Sequence, residues 1–187
     1  MKLLVRGGNI AAGFGVTRGY VDILRDHYAP KGIEVINRSR IGETSFEGAG
    51  SFGEDIEPFR PEILILHFGI DDAFSAVGRF DFKENLVHIV RQARDRFDPL
   101  VILLTSHSLD DPHEMEAVGI YYRMIREVAT DLYCEILPIH TYWASYLLGR
   151  NLSSADFLQK DSRYPNEKGH EIYAEAIIQK LDRLLQG

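Results

Sequence analysis

The chain has 187 residues, 45% hydrophobic and 26% charged, with a formal net charge of -7. This predicts one domain spanning 1–187 with a sizeable core, and the composition lacks the bias of a disordered chain. The acidic balance without a Lys/Arg cluster argues against nucleic-acid binding through phosphates, and no stretch of roughly 18 apolar residues exists for a membrane helix.

In chain order, KLLVR at 2–6 reads as a short apolar strand. It runs into a turn of glycine and small residues, GGNIAAGFG, and then into a helix expected to start near Thr17 and to bury Tyr20, Val21, Leu24 and Tyr28. IEVIN at 33–37 and EILILHF at 62–68 are further strands. Residues 82–97 carry a helical stripe of Phe82, Leu86, Ile89, Val90, Ala93 and Phe97, with Asp81 placed as N-cap and Glu84 three residues on. PLVILLTS at 99–106 is the fourth strand, and Val118, Tyr122, Ile125, Ala129 and Leu132 mark the next helix. CEILPIH at 134–140 is the fifth. The set Tyr142, Trp143, Tyr146 and Leu147 has helical spacing and reads as core; an exposed part of it would form a surface for a partner or a second copy. Tyr173, Ile177, Leu181 and Leu184 define a final helix.

Strands and helices alternate, and the strand runs are near-continuous rather than alternating in hydrophobicity. Together these predict a doubly wound, five-stranded parallel sheet in a three-layer α/β/α domain. In such folds ligands bind beyond the carboxyl ends of the strands. The residues there are Gly7, Gly8 and Asn9, then Asn37 to Thr44, then Gly69, Asp71 and Asp72, then Ser106 and His107, with DSRYPNEKGH at 161–170 before the last helix.

The first of these turns has the setting of an active-site loop but contains no Ser, Thr, Cys or Lys. Nor is it a dinucleotide fingerprint, since a G-x-G-x-x-G frame begun at Gly13 places its third glycine at Arg18, and one begun at Gly7 places its second at Asn9. Gly8, Gly13 and Gly15 are expected to permit positive φ and close helix packing. The single cysteine, Cys134, rules out an internal disulfide and reads as a structural thiol. The apolar run in the opening MKLLVRGGN is too short for a signal peptide, so a cytoplasmic location is expected.

Four segments in order, GGNIAAG, INRSRIGETS, GIDDA and DSRYPNEKGH, resemble the conserved blocks of the SGNH or GDSL hydrolases over essentially the whole chain. That resemblance implies a flavodoxin-like three-layer fold and ester hydrolysis. It also places Gly42 at the family's oxyanion glycine and Asp161 at its catalytic acid. At the remaining family positions this sequence departs from the pattern: Asn9 stands for the nucleophilic serine, Gly8 for the aspartate before it, Asp71 for the oxyanion asparagine and Tyr164 for the catalytic histidine.

A carboxamide has no hydroxyl to attack an ester carbonyl. A phenol with a reference pKa of about 10 would need a drop of roughly three, or about 4 kcal/mol, to act as a base near pH 7. A carboxylate at position 71 accepts where an oxyanion needs a donor. The expectation is therefore a family member lacking the serine esterase mechanism, with Gly8, Asn9, Gly42, Asp71, Ser106, His107 and Tyr164 around a rim site for a small polar, sugar-like ligand. The alternative is an active ester hydrolase with a relocated nucleophile at Ser106, His107 pairing with Asp161, or with a water activated by a metal on Asp71, Asp72 and Asp161 near His107 or His67. No spacing demands a metal, and no cofactor or metal is expected. His67 in its strand reads as a core histidine, and SHSLDDPHE as a polar loop capping the next helix.

Overall fold

The computed structural model describes residues 1–186. Each apolar run becomes a strand: β1 (Lys2–Gly7), β2 (Glu34–Asn37), β3 (Ile63–His67), β4 (Leu100–Leu104) and β5 (Glu135–Leu137). All pair in parallel, in the order β2-β1-β3-β4-β5. Every residue of β3 is buried, which explains why its sequence shows no alternation: helices cover both of its faces. β5 is shorter than its apolar run because Pro138 lacks an N–H for the ladder and instead precedes a helix.

One helical layer contains α1 (Asn9–Ala12), α2 (Tyr20–Tyr28), α8 (Ile139–Arg150) and α9 (Glu167–Gln186). The other contains α3 (Ser45–Gly50), α4 (Phe52–Asp55), α5 (Ile70–Ala73), α6 (Arg79–Phe97) and α7 (Pro112–Asp131). This is the predicted three-layer α/β/α architecture. The expected stripes are buried: Tyr20, Val21, Leu24 and Tyr28 on α2, Phe82 to Ala93 on α6, and Tyr173, Ile177 and Leu181 on α9. On α8, Trp143 and Leu147 are core, while Tyr142 and Tyr146 are partly exposed.

Helix starts differ from the sequence reading. Asp81 is not an N-cap: α6 begins one turn earlier after Gly78, whose extended backbone makes the cap without a side chain, and Asp81 lies in the first turn, where its charge still favours the helix dipole. α2 starts at Tyr20 rather than near Thr17, because the Gly19 N–H is satisfied by the Asp22 carboxylate at 3.0 Å. α7 starts at Pro112, capped by Asp111, which accepts from His113 and Glu114 N–H groups; the loop does cap the following helix as expected.

The neighbours of β1 are reached in opposite directions, by β2 on one side and by β3 on the other. The crevice at the carboxyl ends of β1 and β3 is thus the topological switch point, where such sheets bind ligands.

Candidate functional site

β1 delivers Gly7, Gly8 and Asn9 to this crevice, and β3 delivers Gly69 and the first turn of α5, which carries Asp71. Asn9 and Asp71 meet there through two bonds. The Asn9 backbone N–H donates to Asp71 Oδ2 at 2.8 Å, and the Asn9 side-chain Nδ2 donates to Asp71 Oδ1 at 2.7 Å. The approach is so close that a Cβ on Gly8 would stand 2.2 Å from Asp71 Oδ2 and 2.5 Å from the Glu43 carbonyl. Gly8 is required for that reason and not for positive φ, since its φ is -92°. Gly13 and Gly15 do adopt positive φ, at 79° and 74°.

A third segment arrives after β2. Gly42 takes a left-handed φ of 82°, which turns its N–H onto Asn9 Oδ1 at 2.8 Å. A buried ion network holds this segment. Arg6, fully buried on β1, binds Glu43 and Ser51 and lies 3.4 Å from Asp55, which in turn binds Arg38 at 2.7 Å and Arg40 at 2.6 Å.

The fourth segment carries Tyr164. Its hydroxyl accepts from Asn9 Nδ2 at 3.0 Å and donates to Asp71 Oδ1 at 3.2 Å, closing a ring of three side chains. Phe14 packs edge-on against the Tyr164 ring at 5.0 Å. Gln159 ties the segment down, donating through Nε2 to the Phe14 and Pro165 carbonyls. Asp161, three residues before Tyr164, is bound to Arg163 and not to a member of the ring. Its carboxylate accepts from Arg163 Nε at 2.9 Å and Nη2 at 2.6 Å.

Burial pushes the Asp71 carboxyl above its ordinary range despite the bonds from Asn9 and Tyr164. Burial also raises the Tyr164 phenol, and the Asp71 charge raises it further. The phenol is therefore moved away from the range of a neutral-pH base. The Arg163 bonds hold Asp161 below the usual carboxylate range.

The Asn9 carboxamide is saturated in both donor directions and accepts one backbone N–H. The N–H groups of Asn9 and Gly42, which could otherwise converge on a developing oxyanion, already donate to Asp71 and Asn9.

Ser106 and His107 lie outside this ring. Both are fully buried, Ser106 against His67 Nε2 at 3.2 Å and His107 between the Tyr173 hydroxyl at 2.8 Å and the Ser162 carbonyl at 3.1 Å. The pairing of His107 with Asp161 is not formed. His67 is a satisfied core histidine, its Nδ1 facing the Tyr20 hydroxyl at 3.1 Å. Burial lowers the pKa of His67 to about 3 and those of His107 and His170 to about 4. Asp71, Asp72 and Asp161 do not converge: Asp72 accepts the N–H groups of Ser45 and Gly69, and burial raises its pKa to about 6. Among the described residues no group of three or more His, Cys, Asp or Glu side chains is placed to hold a metal ion. Cys134 is half-buried, its thiol directed at the Leu132 carbonyl.

The four segments that resemble family blocks thus meet at one switch point, and the family model of GDSL-like lipases and acylhydrolases matches residues 6–172. The chain belongs to the GDSL-like lipase/acylhydrolase family. Among solved structures, this family member shares its fold with an α/β hydrolase from the metagenome of Lake Arreo, Spain, at 20% identity and a TM-score of 0.82 over 95% of this chain and 93% of that one. An acetylxylan esterase from Geobacillus stearothermophilus is similar at 22% identity and a TM-score of 0.81, over 95% and 92% of the two chains. A lipase/acylhydrolase from Enterococcus faecalis is similar at 20% identity and 0.79, over 96% and 94%. No curated protein matches the chain.

Sequence reasoning missed Arg6, Glu43 and Asp55, which hold the Gly42 segment, and Arg163, which takes Asp161. An arginine inside an otherwise apolar strand was the available signal for the first group. Asp161 and Arg163, two residues apart, were the signal for the second.

Proposed function

We propose that this GDSL-family chain does not run the serine esterase mechanism at the family position, and that its rim binds a small hydroxyl-rich molecule without hydrolysing it. The observation that carries this reading is the closed ring of Asn9, Asp71 and Tyr164. No nucleophile stands where the ester carbonyl would dock, and the two N–H groups best placed to hold an oxyanion are engaged by side chains. A nucleophile relocated to Ser106 finds no support, because that hydroxyl has no exposed surface. A metal shared by Asp71, Asp72 and Asp161 has none either, because every carboxylate oxygen of the three already accepts a protein donor. For ligand binding, Phe14 and Phe74, each 37% exposed, present ring surface near Tyr164 and beneath the Arg163 guanidinium, suited to the apolar face of a sugar.

The test is hydrolysis of p-nitrophenyl acetate and longer acyl esters by the purified chain, with and without divalent cations and chelator. Xylo-oligosaccharides, acetylated and not, serve as ligand probes, chosen because a structural neighbour is an acetylxylan esterase. The expected result is no turnover above buffer, with saturable sugar binding weakened by Phe14→Ala. Turnover abolished by Ser106→Ala or by chelator overturns the catalytic part, and absence of saturable sugar binding overturns the ligand part.

A further inference from the structure

A groove separate from the Asn9 ring runs along the seam between α3 and α6. It holds a cavity of about 550 Å³, which adjoins a second of about 420 Å³. The two share Phe46, Glu47 and Asn85 as a common wall. Neither Asn9, Asp71 nor Tyr164 lines either one. The larger volume lies in the range of small-molecule sites.

The chemistry of the walls is one-sided. Asp81, Glu84 and Asn85 stand at i, i+3 and i+4, so one face of α6 directs two carboxylates and an amide at the groove. Glu47 faces them from α3, and Glu43 lines the second cavity. Among the described residues no lysine or arginine lines either cavity, and His88 is the only basic side chain that does. The Thr44 N–H and hydroxyl both donate to Glu47 Oε2, at 2.7 and 2.5 Å, which fixes that carboxylate in place. Between the acidic groups stands Phe46, with 66% of its surface in solvent, and Ala76 and Val77 complete an apolar floor. Glu43 is paired with Arg6 and Arg40, whereas Asp81 and Glu84 have no cationic partner among the described residues. An aromatic ring left in water beside those two carboxylates suits one class of occupant: a cation that the ring face and the carboxylates attract together, on a body that covers the apolar floor.

We propose that the α3–α6 groove binds a small alkylammonium ligand, its charged head between Phe46, Glu84 and Asp81 and its apolar arm on Val77. This site stands apart from the Asn9 ring, so binding here does not depend on whether that ring is catalytic.

The probe is n-butylammonium chloride, titrated into the full chain at low ionic strength and followed by calorimetry and by amide shifts in NMR spectra, with n-butanol and butyrate as neutral and anionic controls. The expected result is saturable binding of the ammonium alone, with shifts centred on residues 44–47 and 75–85. Asp81→Asn with Glu84→Gln should weaken affinity by roughly tenfold, and Phe46→Ala should weaken it as well. All three side chains are exposed, so these variants should fold, and unchanged thermal unfolding verifies it. Binding of n-butanol as tight as that of the ammonium, affinity unaffected by the double variant, or no saturation with the ammonium overturns the proposal.

Discussion

Replacing Asn9→Ser, Asp71→Asn and Tyr164→His together is expected to create measurable hydrolysis of p-nitrophenyl acetate, on the order of a hundredfold or more above the parent chain. The serine supplies the missing hydroxyl. Loss of the Asn9 carboxamide frees the Gly42 N–H, and loss of the Asp71 charge turns an acceptor into a donor at the same place. The imidazole replaces a phenol that already lies 3.0 Å from the position 9 side chain. Single exchanges should yield almost nothing, because nucleophile, base and oxyanion donors act as a unit and their effects do not add. Asp161 limits the gain, since Arg163 grips its carboxylate with two bonds. Adding Arg163→Ala should therefore raise the rate again by freeing the acid to orient the new histidine. A folded triple variant with no activity would count against the alignment of these positions.

Acidification is expected to remove several kcal/mol of stability between pH 7 and pH 4. His67, His107 and His170 are buried, with pKa values lowered by that burial to about 3, 4 and 4. In the unfolded chain each titrates near 6.5, so below that pH the unfolded state binds more protons than the folded one. Stability then falls as pH falls, by about 1.4 kcal/mol per pH unit for each histidine in the window. Asp72 works in the opposite direction. With its pKa raised to about 6, the folded state binds the extra proton between about 6 and 4, and Asp71 acts in the same sense. Three histidines against two carboxyls leave the net slope positive with pH. Urea unfolding at intervals from pH 7.5 to 4.5 measures it, and a midpoint that is flat or rises on acidification contradicts this assignment. Protonated His107 would still donate to the Ser162 carbonyl, so the contact that acidification disturbs is the one between its Nδ1 and the Tyr173 hydroxyl.

The sheet was legible because parallel strands buried on both faces appear as continuous apolar runs, and the long helices because Phe82 to Ala93 and Tyr173 to Leu181 recur at helical spacing. The start of α6 was not, since Gly78 caps through its backbone and offers no side-chain signal. That the four short blocks come together was legible from their order along the chain. Their bonding was not: Asn9 and Asp71 are 62 residues apart, and only the pairing of β1 beside β3 brings them together. Gly8 illustrates the difference. Its need for a missing Cβ could be read as backbone freedom, but the cause is the Asp71 carboxylate on α5 together with the Glu43 carbonyl. Ser106 and His107 lie at the end of β4, where α7, α8 and α9 close over them. The Tyr122 hydroxyl donates to the His107 carbonyl, and Trp143 lies 4.9 Å from its ring, so a rim position in the sequence becomes a core position in the fold.

The most direct measurement is amide hydrogen exchange at Asn9 and Gly42. Gly42 lies in an exposed loop, where an N–H without a protein acceptor exchanges almost as fast as in an unfolded chain. With both N–H groups donating to side chains, strong protection is expected at the two positions, and Asn9→Ala should abolish it at Gly42. Rapid exchange at both sites in the parent chain would mean that the donors are open to a substrate oxygen, and the account of a blocked oxyanion site would be wrong.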